Sequence, residues 1–172
     1  QPRGEGGTLG RLSGPGMSPT PAEPIPKACA CLVDDRGRLL VFYQPADGGM
    51  QLPKGTIEPG ESPEDAVRRE LLEESGIHYT GELVPLGTLD RHCEAGIEGN
   101  KHRHAQLWHL FLMQAQGPLP ETFDHVAHGS PEEDGLVFSF SWLAHDQEPV
   151  GFAKPYLQAI ARVRQALAKE PT

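Results

Sequence analysis

The feature that most constrains this chain is the run from Gly55 to Ile77, GTIEPGESPEDAVRRELLEESGI, whose glycines and acids stand at fixed intervals. Gly55 is followed after five residues by Glu61, and after seven more by Arg69-Glu70-Leu71. Glu73-Glu74 and Gly76-Ile77 then close the run. Its second half specifies a helix at both ends. Ser62 is a side-chain N-cap, Pro63 suits the first helical position, and Glu64 and Asp65 set negative charge against the positive helix end. Gly76 stands where the chain leaves the helix in a left-handed conformation. With about 100° of turn per residue, Glu70, Glu73 and Glu74 share one arc of about 100°. The small Ala66 lies inside that arc, and Leu71 and Leu72 lie on its flanks, free to face the protein.

Three carboxylates on one helical face repel each other by a few tenths of a kcal/mol per pair, and on most helices such a face is simply solvated. Here the helix follows Leu52-Pro53-Lys54-Gly55 and Glu58-Pro59-Gly60-Glu61. These Gly- and Pro-bounded segments can fold back and add Glu61 and a backbone carbonyl to the cluster. An all-oxygen donor set of this kind suits hard Mg²⁺ or Mn²⁺. Such a site would also grip phosphate through the metal.

The run resembles the Nudix box, with every position present. The resemblance implies an α/β fold, the Nudix-type α/β/α sandwich with a central mixed β-sheet. It also implies a metal-dependent hydrolase that cleaves a phosphoanhydride bond in nucleoside diphosphate-linked compounds, using two or three Mg²⁺ or Mn²⁺ ions. On that resemblance Glu73 and Glu74 are the principal metal ligands, Glu61 an accessory carboxylate, and the carbonyl of Gly55 a backbone ligand. Glu70 also binds the metal and deprotonates or orients the attacking water, and Arg69 holds Glu70 in place. Some members draw their base from a later loop, which makes Glu132 and Glu133 rivals to Glu70.

Two details bear on substrate. Leu52-Pro53-Lys54-Gly55 is similar to the loop of diadenosine-polyphosphate-type members, with Lys54 a candidate substrate contact. Lys101-His102-Arg103 ahead of a strand resembles the diphosphoinositol polyphosphate phosphohydrolases, and these residues would hold phosphates not bound to metal. The chain departs from that branch in lacking its Pro-Gly-Gly-Gly entry to the box. It also lacks the proline after the box of the ADP-ribose subgroup and the tyrosine of one diadenosine tetraphosphate subgroup. The expected substrate is a (di)nucleoside polyphosphate such as a diadenosine polyphosphate. The alternatives are a pool-sanitising nucleoside triphosphate or RNA 5′-end pyrophosphohydrolase and, in another class, a non-catalytic nucleotide-binding module. Intact Glu70, Glu73 and Glu74 argue against the last.

The 172 residues suit one domain over 27–172, preceded by a Pro- and Gly-rich segment, 1–26, with little to bury. Residues 1–16, ahead of the first methionine at Met17, read as a vector-derived leader. No secretory h-region and no run of the roughly 18 apolar residues a membrane span needs is present, so a cytoplasmic protein is expected. The formal charge of −9 argues against general nucleic-acid binding. Seven acids against Arg68 and Arg69 put −5 of it in the box, where divalent metal would offset it. The expected partner is a small nucleotide or polyphosphate, bound by a monomer or homodimer.

Strands are expected at 27–33, 38–44, 50–52, 83–89, 106–113 and 136–142, with a closing helix over 155–169. In that helix Tyr156, Leu157, Ile160, Ala161, Val163 and Leu167 share a face, with Arg164 in its middle, either reaching water or meeting a box acid. Cys29 and Cys31, two apart, match no redox or zinc spacing and with Cys93 make an odd count, as buried thiols in a reducing compartment would. The long polar stretch from Gly117 to Gly135 reads as a lid or binding loop. Its His125 and His128 lack a third histidine partner for zinc.

Overall fold

Strand β1 (Ile25–Val33) is apolar on both alternating faces, and both faces are covered. The computed structural model describes residues 23–46, 48–92 and 105–169. In chain order β1 is followed by β2 (Leu39–Gln44), β3 (Gly49–Gln51), β4 (Lys54–Thr56), α1 (Pro63–Ser75) and β5 (Leu83–Arg91). Then come β6 (Gln106–Gln114), β7 (Phe123–Val126), β8 (Val137–Leu143) and α2 (Lys154–Lys169). The sheet runs β5-β6-β1-β2-β8-β7, with β3 on β2 and β4 on β1. Only β1 and β6 pair in parallel, so the sheet is mixed.

One face of β1 (Ala28, Ala30, Leu32) packs with Phe42, Phe111, Met113, Phe138 and Phe140 against Val67 and Leu71 of α1. The other face (Cys29, Cys31, Val33) packs with Trp108, Leu110 and Leu112 against Tyr156, Ala159, Ile160 and Val163 of α2. Helix, sheet and helix make the expected α/β/α sandwich. Cys29 and Cys31 are buried free thiols, and Cys93 lies outside the described residues.

The sheet parts along one side of β1. Strand β2 pairs with β1 only at Val33–Leu39, whereas β4 takes the other end, from Lys27–Thr56 to Cys29–Lys54. The short strand β4 was not expected from the sequence, because Pro53 and Gly55 read as loop. Three residues suffice because the pairing is extended on both sides: Ala30 N–H donates to the Pro53 carbonyl at 2.8 Å and Ile57 N–H to the Pro26 carbonyl at 3.0 Å.

The stretch 117–135 is likewise not a single loop. Strand β7 lies within it, pairing with β8 from Phe123–Phe140 to Val126–Val137. The Phe123 ring stacks on Phe140 with centroids 4.9 Å apart, and that buried contact outweighs the polar neighbours Asp124 and His125. In α2, Leu157 and Ala161 face solvent, and Ala159 takes a place in the core. Arg164 meets neither water alone nor a box acid: its guanidinium donates to the carbonyls of Ala144 and Gln147 at 3.3 and 2.5 Å. Among the described residues no helix is long and apolar enough to cross a membrane.

Helix α1 begins and ends as its sequence specifies. The Ser62 side chain accepts from Asp65 N–H at 3.1 Å, and Gly76 closes the helix at φ 79° with its N–H on the Leu72 carbonyl. Removing the cap should cost about 1 kcal/mol. Ser62→Ala should therefore lower the free energy of urea unfolding by that amount while the metal-free circular dichroism spectrum keeps its shape; an unchanged midpoint would show that the cap carries no stability.

Candidate active site

The acidic arc of α1 is turned toward the sheet. Ala66 is fully buried, and Glu70 and Glu74 are only 6% and 2% exposed, whereas Leu72 on the flank faces solvent. Pairing with Ala28 places Gly55 on the sheet face beneath this arc. A Cβ on Gly55 would lie 1.9 Å from the carboxyl carbon of Glu70. The carboxylate can rest there only because residue 55 has no side chain.

Arg69 ties the acids together. Its Nε and Nη2 donate to the two oxygens of Glu61, each at 2.8 Å, a forked pair. Nη1 donates to Glu70 at 2.8 Å and Glu73 at 3.2 Å, and Nη2 also reaches the Thr56 carbonyl at 3.0 Å. The pairing with Arg69 holds the Glu61 carboxyl below its ordinary range, and Glu61 in turn holds the guanidinium firmly charged. Glu70 behaves differently. Burial pushes its carboxyl up to about 7 against the pull of Arg69, with the charges of Glu73 and Glu133 adding to the rise.

Glu74 is the most deeply placed acid. Its Oε2 accepts from Lys54 N–H at 3.0 Å, and among the described residues it makes no ion pair with a basic side chain. Burial raises its carboxyl well above the ordinary range, and the charges of Glu133 and Glu70 raise it further. The ladder also orients backbone oxygens. Bonds at Ala30–Pro53 and Ile57–Pro26 make Ala28–Gly55 the hydrogen-bonded pair between them, so the Gly55 carbonyl turns toward β1. The carbonyls of Lys54 and Thr56 then turn away from β1, and that of Thr56 meets Arg69.

Strand β7 and the segment after it dock on the end of α1. His125 Nδ1–H donates to the Glu74 carbonyl at 2.9 Å, and His128 N–H to the Glu73 carbonyl at 3.1 Å. These donors serve a helix end with no basic residue in its last turn. Gly129, at φ 101°, sits so close that a Cβ would lie 2.3 Å from the Glu73 carboxyl carbon. The same segment brings Glu133 within electrostatic reach of Glu70 and Glu74, while Glu132 is exposed. Sequence reading weighed His125 and His128 only as zinc ligands and missed this docking; their spacing gave no sign of it.

Glu61, Glu70 and Glu73 are thus brought together on Arg69, Glu70 rests over Gly55, and Glu74 meets the Lys54 backbone. The Lys54 side chain lies on the other sheet face, its Nζ 4.3 Å from the Trp108 ring centroid and 5.5 Å from that of Tyr156. Burial there, then the charge of Lys27, lowers its ammonium to about 8. Lys101, His102 and Arg103 lie outside the described residues. Also among the described residues, no three acidic, His or Cys side chains converge on one point, since Glu61, Glu70 and Glu73 are turned onto Arg69. The donors nonetheless fit a hard divalent cation in kind. They are carboxylate and carbonyl oxygens, and the buried Glu74 has no counter-ion of its own.

The NUDIX domain family matches residues 23–163, and the chain belongs to that family, a hydrolase acting on phosphorus-containing anhydrides. Among curated proteins it is similar to the RNA pyrophosphohydrolase of Erythrobacter litoralis, 29% identical over 132 residues that cover 70% of this chain and 76% of that protein. The RNA pyrophosphohydrolase of Sphingopyxis alaskensis is 33% identical over 114 residues, covering 60% and 70% respectively. A NUDIX hydrolase from Nitrosomonas europaea shares the fold, with TM-score 0.58 and 21% identity over 84% of this chain and 90% of that one. So does the C. elegans Ap4A hydrolase, with TM-score 0.57 and 15% identity over 85% and 99%.

Two outcomes follow from this geometry. Gly55→Ala should displace the Glu70 carboxylate and cut kcat by about 10²-fold, with the fold retained by circular dichroism; unaltered turnover would show that the Glu70 position does not matter. The second concerns pH. A carboxyl raised from 4.5 to about 7 stays protonated in the folded state where the unfolded chain has lost its proton. Its stabilisation is therefore full below pH 4.5 and is lost as pH rises through about 7, by at most about 3 kcal/mol. Urea unfolding in EDTA should show stability falling over that window, a flatter slope in Glu70→Gln, and recovery on adding Mg²⁺. A metal-free stability that rises with pH would contradict the assignment.

Proposed function

We propose that the chain is a cytoplasmic pyrophosphohydrolase of (di)nucleoside polyphosphates, such as diadenosine polyphosphates, working with two or three Mg²⁺ or Mn²⁺ ions as a monomer or homodimer. The observation that carries the reading is the acid set ordered by Arg69, beside a buried Glu74 that has no ion-pair partner among the described residues. Glu61, Glu70, Glu73 and Glu74 would hold the ions. A backbone carbonyl joins them, that of Gly55 in the sequence reading, with the ladder register favouring its neighbour Lys54. Bound metal supplies charge neutralisation of the phosphates and a more acidic attacking water.

The reaction adds water oxygen to one phosphorus and breaks the bridging P–O bond, releasing the other phosphate as the leaving group. The proton lost by water goes to a carboxylate. Glu70, held by Arg69 at 2.8 Å and lifted to about 7 by burial, is suited to accept it near neutral pH. Glu133 is the rival from the docked segment, since its charge bears on both Glu70 and Glu74. Glu132 is the weaker rival because it is exposed.

A second substrate reading has its own support. Both curated relatives described above bear the name RNA pyrophosphohydrolase, which favours a 5′-triphosphorylated RNA end. A pool-sanitising activity on nucleoside triphosphates shares that chemistry. A binding module without turnover is opposed by the intact and ordered carboxylates.

The test is a panel of diadenosine tetraphosphate, ADP-ribose, nucleoside triphosphates and 5′-triphosphorylated RNA, with products identified after reaction in ¹⁸O-water. Diadenosine tetraphosphate should give the highest kcat/KM; a clear preference for the RNA end would replace the first reading with the second. Binding without turnover of any member would sink both. Within the same assay, Glu74→Gln should lower kcat by several orders of magnitude. Glu70→Gln should cost about 10²–10⁴-fold and abolish the acidic limb of the pH–rate profile. If Glu133→Gln does so instead, the base is in the docked segment.

A further inference from the structure

The sheet face opposite α1 carries a set of cations that the chemistry above does not use. Cross-strand register defines it. Lys54 of β4 is opposite Cys29, and Lys27 of β1 is opposite both Thr56 and Trp108 of β6. Trp108 is opposite Leu89 of β5, and Arg91 lies two residues further along the same strand. Cys29, Trp108 and Leu89 belong to the core beneath α2, so alternation puts Lys27, Lys54 and Arg91 on that face. The three also lie within electrostatic reach of one another at Lys54. Lys54 Nζ sits over Trp108, and the charges of Lys27 and Arg91 both bear on it, opposed by that of Glu74.

Among the described residues no carboxylate comes within 4.0 Å of any of the three cations. Lys27 Nζ donates instead to Thr56 Oγ1 at 2.6 Å. In a chain of formal charge −9, like charges gathered at one end of a sheet repel one another, and Glu74 offsets this at Lys54 only in part. A phosphate chain would offset them. The cluster also starts at the residue whose N–H holds Glu74, so a single residue joins it to the carboxylates.

We propose that Lys27, Lys54 and Arg91 form an anion subsite for substrate phosphates beyond those held at the carboxylates. The inference rests on the reading that the substrate is phosphate-rich. Arg91 supplies a forked contact and the lysines point charges, so occupancy should depend on phosphate number rather than on the base.

The probe is inorganic tripolyphosphate, titrated calorimetrically into the full chain in EDTA, where no metal bridges it to the acids. The wild type should bind it, and Lys27→Gln/Arg91→Gln should weaken Kd by about tenfold or more. Arg36→Gln, an exposed cation on the β1–β2 turn, should leave Kd unchanged. Absence of binding by the wild type, or equal loss in all variants, would overturn the subsite. Because the titration involves no turnover, it can fail while the nucleotide panel succeeds, or succeed while the panel points elsewhere. With Mg²⁺ present, the double variant should raise KM more for four-phosphate than for two-phosphate substrates, with kcat nearly constant; an equal rise for both would also refute the proposal.

Discussion

The site depends on the bonding of Arg69. Glu70 and Glu73 of α1 and Glu61 of the loop before it converge on Arg69, whose one guanidinium donates to all three while also meeting the Thr56 carbonyl. A lysine in its place could offer a point charge but not this planar fork. The arginine fixes the loop to the helix and sets where each carboxylate points. It leaves Glu74 out. That acid is buried, bonded to a main-chain N–H, and without an ion-pair partner among the described residues. The contrast between three compensated acids and one uncompensated acid gives the cluster its bias toward cations.

Strand β4 shows how little backbone is needed to organise both sides of a sheet. Lys54 holds Glu74 through its N–H and sends its side chain to the opposite face, onto Trp108. Gly55 offers a bare Cα for Glu70, and Thr56 gives its carbonyl to Arg69. Strand alternation distributes these roles, and the parting of the sheet beside β1 lets the two faces meet at Glu74. A helix could not divide neighbouring residues between opposite surfaces in this way.

Strand β7 and the segment after it add a second attachment to α1. His125 and His128 serve the carbonyls of Glu74 and Glu73, the residues whose side chains lie in the cluster. Gly129 leaves room for the Glu73 carboxylate, much as Gly55 does for Glu70. Close approach of backbone to carboxylate thus recurs on both sides of the helix, and each instance requires a glycine. The result places Glu133 near the acids from an element far away in sequence.

What the sequence determined was local and periodic. Ser62, Pro63 and Gly76 bounded α1, because caps and left-handed termini depend on nearest neighbours. The 3.6-residue repeat gathered Glu70, Glu73 and Glu74 with Ala66, and alternating apolar runs marked β1, β2, β6 and β8. Tertiary structure decided which way the arc faced, because a helix turns its acids inward only when a partner such as the Lys54 N–H and a surface such as Gly55 await them. It also decided that Lys54 would lie on Trp108, that β7 would form against Phe140, and that His125 would grip the end of α1. Those contacts join residues well separated in the chain, and their energy comes from burial and register that no local pattern encodes.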